Sequence, residues 1–319
     1  MKSYIKRTYV KSCILVFTSL FLFNCGSKKV IMENSNFNYT EFRASQNTFQ
    51  SKEGAIKYID KGKGDVILLL HGVPTSSWLY RNMIDELVNE GYRIIAPDML
   101  GFGNSDSPEG YEIYEPKEHT KRLLSLMDHL NINEWTHVMH DAGGLWTWEL
   151  FKQAPKKVNK LVVLNTIIYE EGFKPPVRMN RGVFARFSVW LFENKLTSST
   201  MVSKLFKDGL KHKELNENQL IGYKTPLREE KTNAMYQFFS NTCNDLPNYE
   251  TVIKSIDIPV AVIWGKHDPF LKWKPQRKRV LSDLKVKSDN EHVIDAGHFI
   301  QEEEPQLVNK CILHFLKAN

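Results

Sequence analysis

A chain of 319 residues is long enough to bury one large core, and 42% hydrophobic with 25% charged residues excludes a disordered or low-complexity polypeptide. The net charge of +6 is concentrated at the start: Lys2, Lys6, Arg7 and Lys11 meet no acidic residue before position 25, and the rest of the chain carries only +2. That is too little for a nucleic-acid surface, so no nucleic-acid partner is expected.

Residues 1–24 read as a signal peptide. A basic start leads into an apolar run from Cys13 to Phe23, too short to span a bilayer as an ordinary helix. The run ends in LFNCGS, which resembles a bacterial lipoprotein signal, with Cys25 as the lipidated residue and Asn24 standing where a small residue is usual. The resemblance implies an exported protein tethered to a membrane of the cell envelope through its N-terminal lipid. An uncleaved anchor, or a conventional signal cut elsewhere, is the alternative reading. Residues 25–48 are polar and aperiodic and are expected to form a tether. Cys243 and Cys311 are the thiols left to the folded part. Their spacing does not indicate a bridge, and two buried thiols are expected.

From Phe49 onward strand-like and helical runs alternate. VILLLHG (66–72), YRIIAPD (92–98), WTHVMH (135–140), KLVVLN (160–165), VAVIWG (260–265) and EHVID (291–295) are short and rich in branched apolar residues. Most are near-continuous, as parallel strands covered on both faces require. Between them, SSWLYRNMIDELVNE and EHTKRLLSLMDHL repeat apolar residues at three- and four-residue steps, the period of a one-sided helix. The alternation predicts an α/β fold with a mostly parallel central sheet flanked by helices. It lapses over 172–250, which is helical in flavour and rich in Phe, Lys and Asn. This stretch is predicted to be an inserted helical cap, with the core built from 49–171 and 251–319.

Four predicted strands end in residues able to do chemistry. The first runs into His71-Gly72-Val73-Pro74, where Gly72 permits a sharp turn and Pro74 fixes the next φ, so that the Val73 N–H is free to face a cavity. The second ends in VMHDAGG. Asp141 sits between strand and helix, small residues follow it as a tight elbow needs, and the Ala142 N–H lies at a helix start that favours an anion. Taken alone, Asp141 would read as a helix N-cap. The last two strands run into WGKHDPF and DAGHFIQEEEP, which place Asp268 and His298 in the chain order nucleophile, acid, histidine.

With these residues in view, the chain from about 49 to 319 resembles an α/β-hydrolase of the branch with an aspartate nucleophile, which comprises haloalkane dehalogenases and epoxide hydrolases. HGVPTSSWLYRNMI, RIIAPDMLGFGNSD and DAGHFIQE are most similar to the dehalogenases. The resemblance implies an α/β-hydrolase fold with a cap, Asp141 as nucleophile, His298 as base, Asp268 as its charge partner, and Val73 and Ala142 as oxyanion-hole donors. Some dehalogenases carry the acid at the end of the preceding strand, where this chain has Asn165. A carboxylate is ionised at neutral pH and can displace a leaving group from a tetrahedral carbon, whereas attack on a carboxylic ester would give an anhydride. The implied activity is hydrolysis of a carbon–halogen bond through an alkyl ester on Asp141, with a small apolar organic substrate, water, and no metal or cofactor. Epoxide hydrolysis is the alternative, and a non-catalytic binding lipoprotein on the same fold is the second.

The leaving-group site departs from the pattern. Dehalogenases usually follow the nucleophile with a Trp and often have Asn as the variable residue of the His-Gly-x-Pro turn; here these are Ala142 and Val73. Trp190 in ARFSVWLFE is the candidate halide donor. Tyr236 in NAMYQFF is the candidate phenol for an epoxide, with Tyr223 a weaker one. Trp146 and Trp148 are expected to pack in the core or against the cap.

Overall fold

The computed structural model describes residues 38–179, 187, 190, 191 and 194–319. The expected signal peptide and Cys25 lie outside these residues. The described chain is organised on one eight-stranded sheet in the order β1-β2-β4-β3-β5-β6-β7-β8. Strands β3 (Val66–Leu70), β4 (Arg93–Pro97), β5 (Trp135–Asp141), β6 (Val158–Thr166), β7 (Val260–Gly265) and β8 (Glu291–Ile294) are mutually parallel. The inner strands are buried on both faces, with β5 and β7 almost wholly inaccessible, while the edge strand β8 leaves Val293 exposed. This parallel set, with α2 (Arg81–Asn89), α3 (Pro116–His129) and α4 (Gly143–Gln153) between its strands, is the α/β-hydrolase fold that the alternation predicts.

The expected tether is shorter than 25–48. Residues Tyr39–Ser45 form a helix, α1, whose N-cap Asn38 accepts from the Thr40 N–H at 2.9 Å. Strand β1 (Asn47–Gln50) then pairs antiparallel with β2 (Ala55–Lys61), which pairs antiparallel with β4. A seven-residue helix is too short to hold by itself. Tyr39 and Phe42 order it by packing edge-on against Trp78, at centroid distances of 5.2 and 5.0 Å. Two aromatic residues in a polar stretch make no periodic signal, which is why the sequence reads as a tether there.

Between β6 and β7 lie α5 (Lys195–Gly209), α6 (Glu217–Arg228), α7 (Asn233–Gln237), a π turn over Phe238–Thr242, and α8 (Glu250–Ser255). Among the described residues of this span the β-structure is one isolated bridge, Phe173 to Leu271. Asn216 starts α6 with a reciprocal capping box to Gln219. The cap is joined to the core by buried polar bonds: Trp78 Nε1 donates to the Gln219 carbonyl at 2.9 Å, and Arg81 pairs with Glu302, to which the Tyr223 hydroxyl also donates. Cys243 and Cys311 are both buried free thiols.

Candidate active site

The elbow places Asp141 at the C-terminal end of β5 with φ of 53°, a left-handed conformation that costs a residue with a side chain about 1–3 kcal/mol. The surroundings enforce it. The Asp141 carbonyl accepts from Thr166 Oγ1 at 2.6 Å and from the Ile167 N–H at 3.1 Å, so β6 holds the turn from one side. On the other side a Cβ at Gly72 would lie 2.4 Å from that of Asp141, and one on Gly144 would lie 2.3 Å from Thr166 Oγ1. Strand, turn and helix approach this closely only because those positions are glycine.

Asp141 Oδ1 accepts from the Val73 N–H at 2.7 Å, and the Ala142 N–H also bonds the carboxylate. The other oxygen, Oδ2, is 3.6 Å from His298 Nε2. His298 Nδ1 lies 2.8 Å from Asp268 Oδ2. Asp268 is held from behind: its Oδ1 accepts from the N–H groups of Phe270 and Leu271, each at 2.8 Å, and its Oδ2 also accepts from Asn165 Nδ2 at 2.6 Å. Burial pushes the His298 ring down, but the Asp268 charge and the Asp141 hydrogen bond outweigh it and raise the ring to about 10. Burial acts to raise Asp141, and the His298 hydrogen bond and charge reverse this, holding the carboxyl below its ordinary range. The resting pair is carboxylate and imidazolium.

The small cavity over Asp141 and His298, about 20 Å³, is walled by Val73, Phe173, Pro176, Leu205, Phe238 and Phe270 among others, all apolar. It has room for about one water. A second apolar cavity of about 140 Å³ shares Pro176, Leu205 and Phe239 with it.

The structure brings together Asp141, His298, Asp268, Val73 and Ala142, but not the cap candidates. Trp190 is 57% exposed and stacks on Phe187, so its indole does not line the cavity over Asp141. Tyr236 packs its ring on Tyr111 at 5.2 Å, and it too is outside the lining. Tyr223 is turned to Arg81 and Glu302. Trp148 Nε1 donates to the Ile167 carbonyl at 2.9 Å in the core. Trp146 is buried against His119, with ring centroids 4.5 Å apart. A helical sequence carrying aromatic residues on several faces does not reveal which face meets the site.

Sequence reasoning gave no role to three residues that support the constellation. Asn165 was noted only as a missing acid. Its amide instead bridges Asp268 and the Gly265 N–H, the latter at 2.8 Å. His71 Nε2 accepts from the Met99 N–H at 2.9 Å, so Nδ1 carries the proton and donates to the Gly72 carbonyl at 2.7 Å, bracing the turn. His140 donates from Nε2 to the His298 carbonyl at 3.1 Å, and burial first, then the His298 charge, push its ring down to about 3. A polar residue at the end of a buried strand was the signal available for Asn165 and His140.

A family model described as the alpha/beta hydrolase fold matches residues 65–305. A haloalkane dehalogenase from Mycolicibacterium paratuberculosis is 29% identical over 269 residues, 80% of this chain and 85% of its own length. Epoxide hydrolase 3 from Xenopus tropicalis is 28% identical over 287 residues, 84% of this chain and 77% of its own. The crystal structure of an epoxide hydrolase from Vigna radiata superimposes with a TM-score of 0.68 at 19% identity, covering 86% of this chain and 98% of that one. With the elbow, the parallel sheet and the cap insertion, these matches make the chain a member of the α/β-hydrolase family, an enzyme of the hydrolase class.

Proposed function

We propose that the protein hydrolyses the carbon–halogen bond of small apolar organic molecules through an alkyl ester on Asp141. One observation carries this reading: Asp141 Oδ1 is pinned by the Val73 N–H at 2.7 Å while Oδ2 faces the apolar cavity beside His298. Oδ2 attacks a tetrahedral carbon, the C–X electron pair departs with the halide, and an ester remains. With the Asp141 charge gone, His298 releases its Nε2 proton to solvent; water then gives a proton to the neutral Nε2 as its oxygen bonds the Asp141 carboxyl carbon. Oδ1 takes the negative charge between the Val73 and Ala142 N–H groups, where fixed donors act most strongly. Collapse of this intermediate expels the alcohol and restores the carboxylate. Asp268 orients the ring and supports the imidazolium whenever it forms.

Names of relatives divide between dehalogenase and epoxide hydrolase. The lining favours the first. An epoxide oxygen must receive a proton as the ring opens, and no phenol lines the cavity among the described residues. A halide leaves without a proton and needs only N–H donors. The test is the His298→Gln variant incubated with 1-bromobutane. Peptide mass spectrometry should find a butyl adduct on the peptide holding Asp141, absent from Asp141→Asn. No adduct with any alkyl halide or terminal epoxide would sink the covalent reading and leave a binding protein on a hydrolase fold.

A further inference from the structure

We propose that Glu303 is a positioning residue for the base: its carboxylate clips the His298 loop to the cap, so that the seating of the cap sets where His298 stands. The inference rests on the covalent reading above, in which His298 serves as base in the second step and not in the first. Strand β8 ends at Ile294, so the sheet does not hold His298 directly. The backbone N–H groups of the loop must find their partners elsewhere.

They find them in the cap and in one buried side chain. The His298 N–H donates at 2.7 Å to the carbonyl of Gly209, the last residue of α5. The Gly297 N–H donates to Glu303 Oε2 at 2.5 Å. The other oxygen, Oε1, accepts from the N–H groups of Lys211 and His212 at 2.7 and 2.5 Å. Glu303 is buried, on the short helical turn Ile300–Glu303 just after the base. It thus gathers two donors from the cap and one from the residue before His298. Beside it the buried Lys213 donates from Nζ to the Glu302 carbonyl at 2.8 Å. Cap residues 209–213 are therefore fastened along the loop that carries the base. Asp295 also meets His212 and His267, at 3.2 and 2.6 Å, but these contacts are exposed to water and hold less.

The clip needs a carboxylate. Both of its oxygens only accept, as three N–H donors require, whereas an amide offers one oxygen and one NH2. Glu303→Gln therefore sets a donor against a donor, either at Gly297 or at the cap pair, whichever way the amide turns. Buried donors without an acceptor are costly, and the loop can relieve that cost by shifting. His298 has little room for a shift. Nδ1 is 2.8 Å from Asp268 Oδ2, Nε2 is 3.6 Å from Asp141 Oδ2, and the attacking water has to lie within reach of Nε2. Alkylation needs the Asp141 carboxylate, whereas hydrolysis of the ester needs the base in place as well. Loosening the clip should therefore damage the second step selectively.

The experiment follows the butyl adduct formed from 1-bromobutane by rapid-quench mass spectrometry, in the wild-type protein and in Glu303→Gln. Glu303→Gln should slow adduct decay by about 10- to 100-fold, the cost of misplacing a catalytic group by about 1 Å or less, while adduct formation keeps its wild-type rate. The adduct then accumulates although His298 is present. Proton NMR of the substrate-free protein gives a readout that needs no chemistry: the far-downfield signal of the proton between His298 Nδ1 and Asp268 should shift or broaden in Glu303→Gln. Lys213→Met cuts the neighbouring cap contact and should slow decay in the same sense by a smaller factor. It carries the test if Glu303→Gln does not fold. Decay unchanged, or formation and decay slowed alike, overturns the proposal whatever the signal does, because a merely structural residue would act in that way. If neither the wild-type protein nor His298→Gln forms an adduct, the covalent reading fails. The signal then decides: a shift in Glu303→Gln upholds the clip, and an unmoved signal overturns it.

Discussion

In the cycle proposed above, His298 has to be two things. In the resting site it is an imidazolium facing the Asp141 carboxylate at 3.6 Å, and to activate water it must be neutral. Alkylation makes the switch, because an ester on Asp141 carries no charge and removes one of the two carboxylates that raise the ring to about 10. Asp141 is held below its ordinary value of 3.8, so it is ionised throughout the neutral range. Adduct formation by the wild-type protein should therefore be flat between about pH 6 and 9, while adduct decay should accelerate with pH, with a midpoint below 10. Rapid-quench mass spectrometry resolves the two steps. Decay that is insensitive to pH would remove His298 from the second step. The same linkage gives a sign for stability: a ring raised from 6.5 to about 10 stabilises the fold below the lower value, and this contribution is lost as pH rises through the upper one. Asn165 shows where sequence reasoning stops at this scale. Its identity excludes it as the acid, but only the fold shows its amide shared between Asp268 and Gly265.

The six parallel strands were legible because most are near-continuous apolar runs, and a strand covered on both faces permits little else. The antiparallel edge was not: β1 is four residues of exposed and half-buried NTFQ, and its place depends on pairing with β2. Helix α1 was invisible for the same reason, and it has a structural task. Its Phe42 packs on Trp78, whose indole N–H bonds the cap at Gln219, while Arg43 grips Glu229 just beyond α6 with two hydrogen bonds, at 2.6 and 3.2 Å. The element thus straps cap to core. Its two anchors differ in worth. Arg43 and Glu229 are exposed, and such a pair contributes about 0–1 kcal/mol. Phe42 is buried, and truncating it to alanine removes most of a ring from the core, a loss of about 3–5 kcal/mol. Urea denaturation should rank Phe42→Ala well below Arg43→Ala in stability. Equal losses would place the strap's strength in the ion pair instead.

At the scale of the whole molecule Asp141, His298, Asp268, Val73 and Ala142 all lie within the described residues, and the segment before Asn38 supplies none of them. That segment has a separate task, and we propose that it is attachment. Its cationic start and apolar run precede Cys25, and twelve residues separate that cysteine from Asn38, a reach of at most about 40 Å when fully extended. No helix among the described residues is long and apolar enough to cross a membrane, so attachment would rest on the lipid and the segment that carries it. Metabolic labelling with an alkyne analogue of palmitate should tag the full-length protein produced in a bacterium. Cys25→Ser should abolish the tag and move the protein out of the membrane fraction. Halide release per mole of the variant should be unchanged, because none of the residues assigned to the chemistry precedes Asn38. A wild-type protein that takes up no label and is found wholly soluble would overturn the lipid anchor while leaving the chemistry at Asp141 untouched. If the Cys25→Ser protein loses activity as well as label, the membrane is also supplying something to catalysis, and delivery of an apolar substrate from the bilayer becomes the next step to measure.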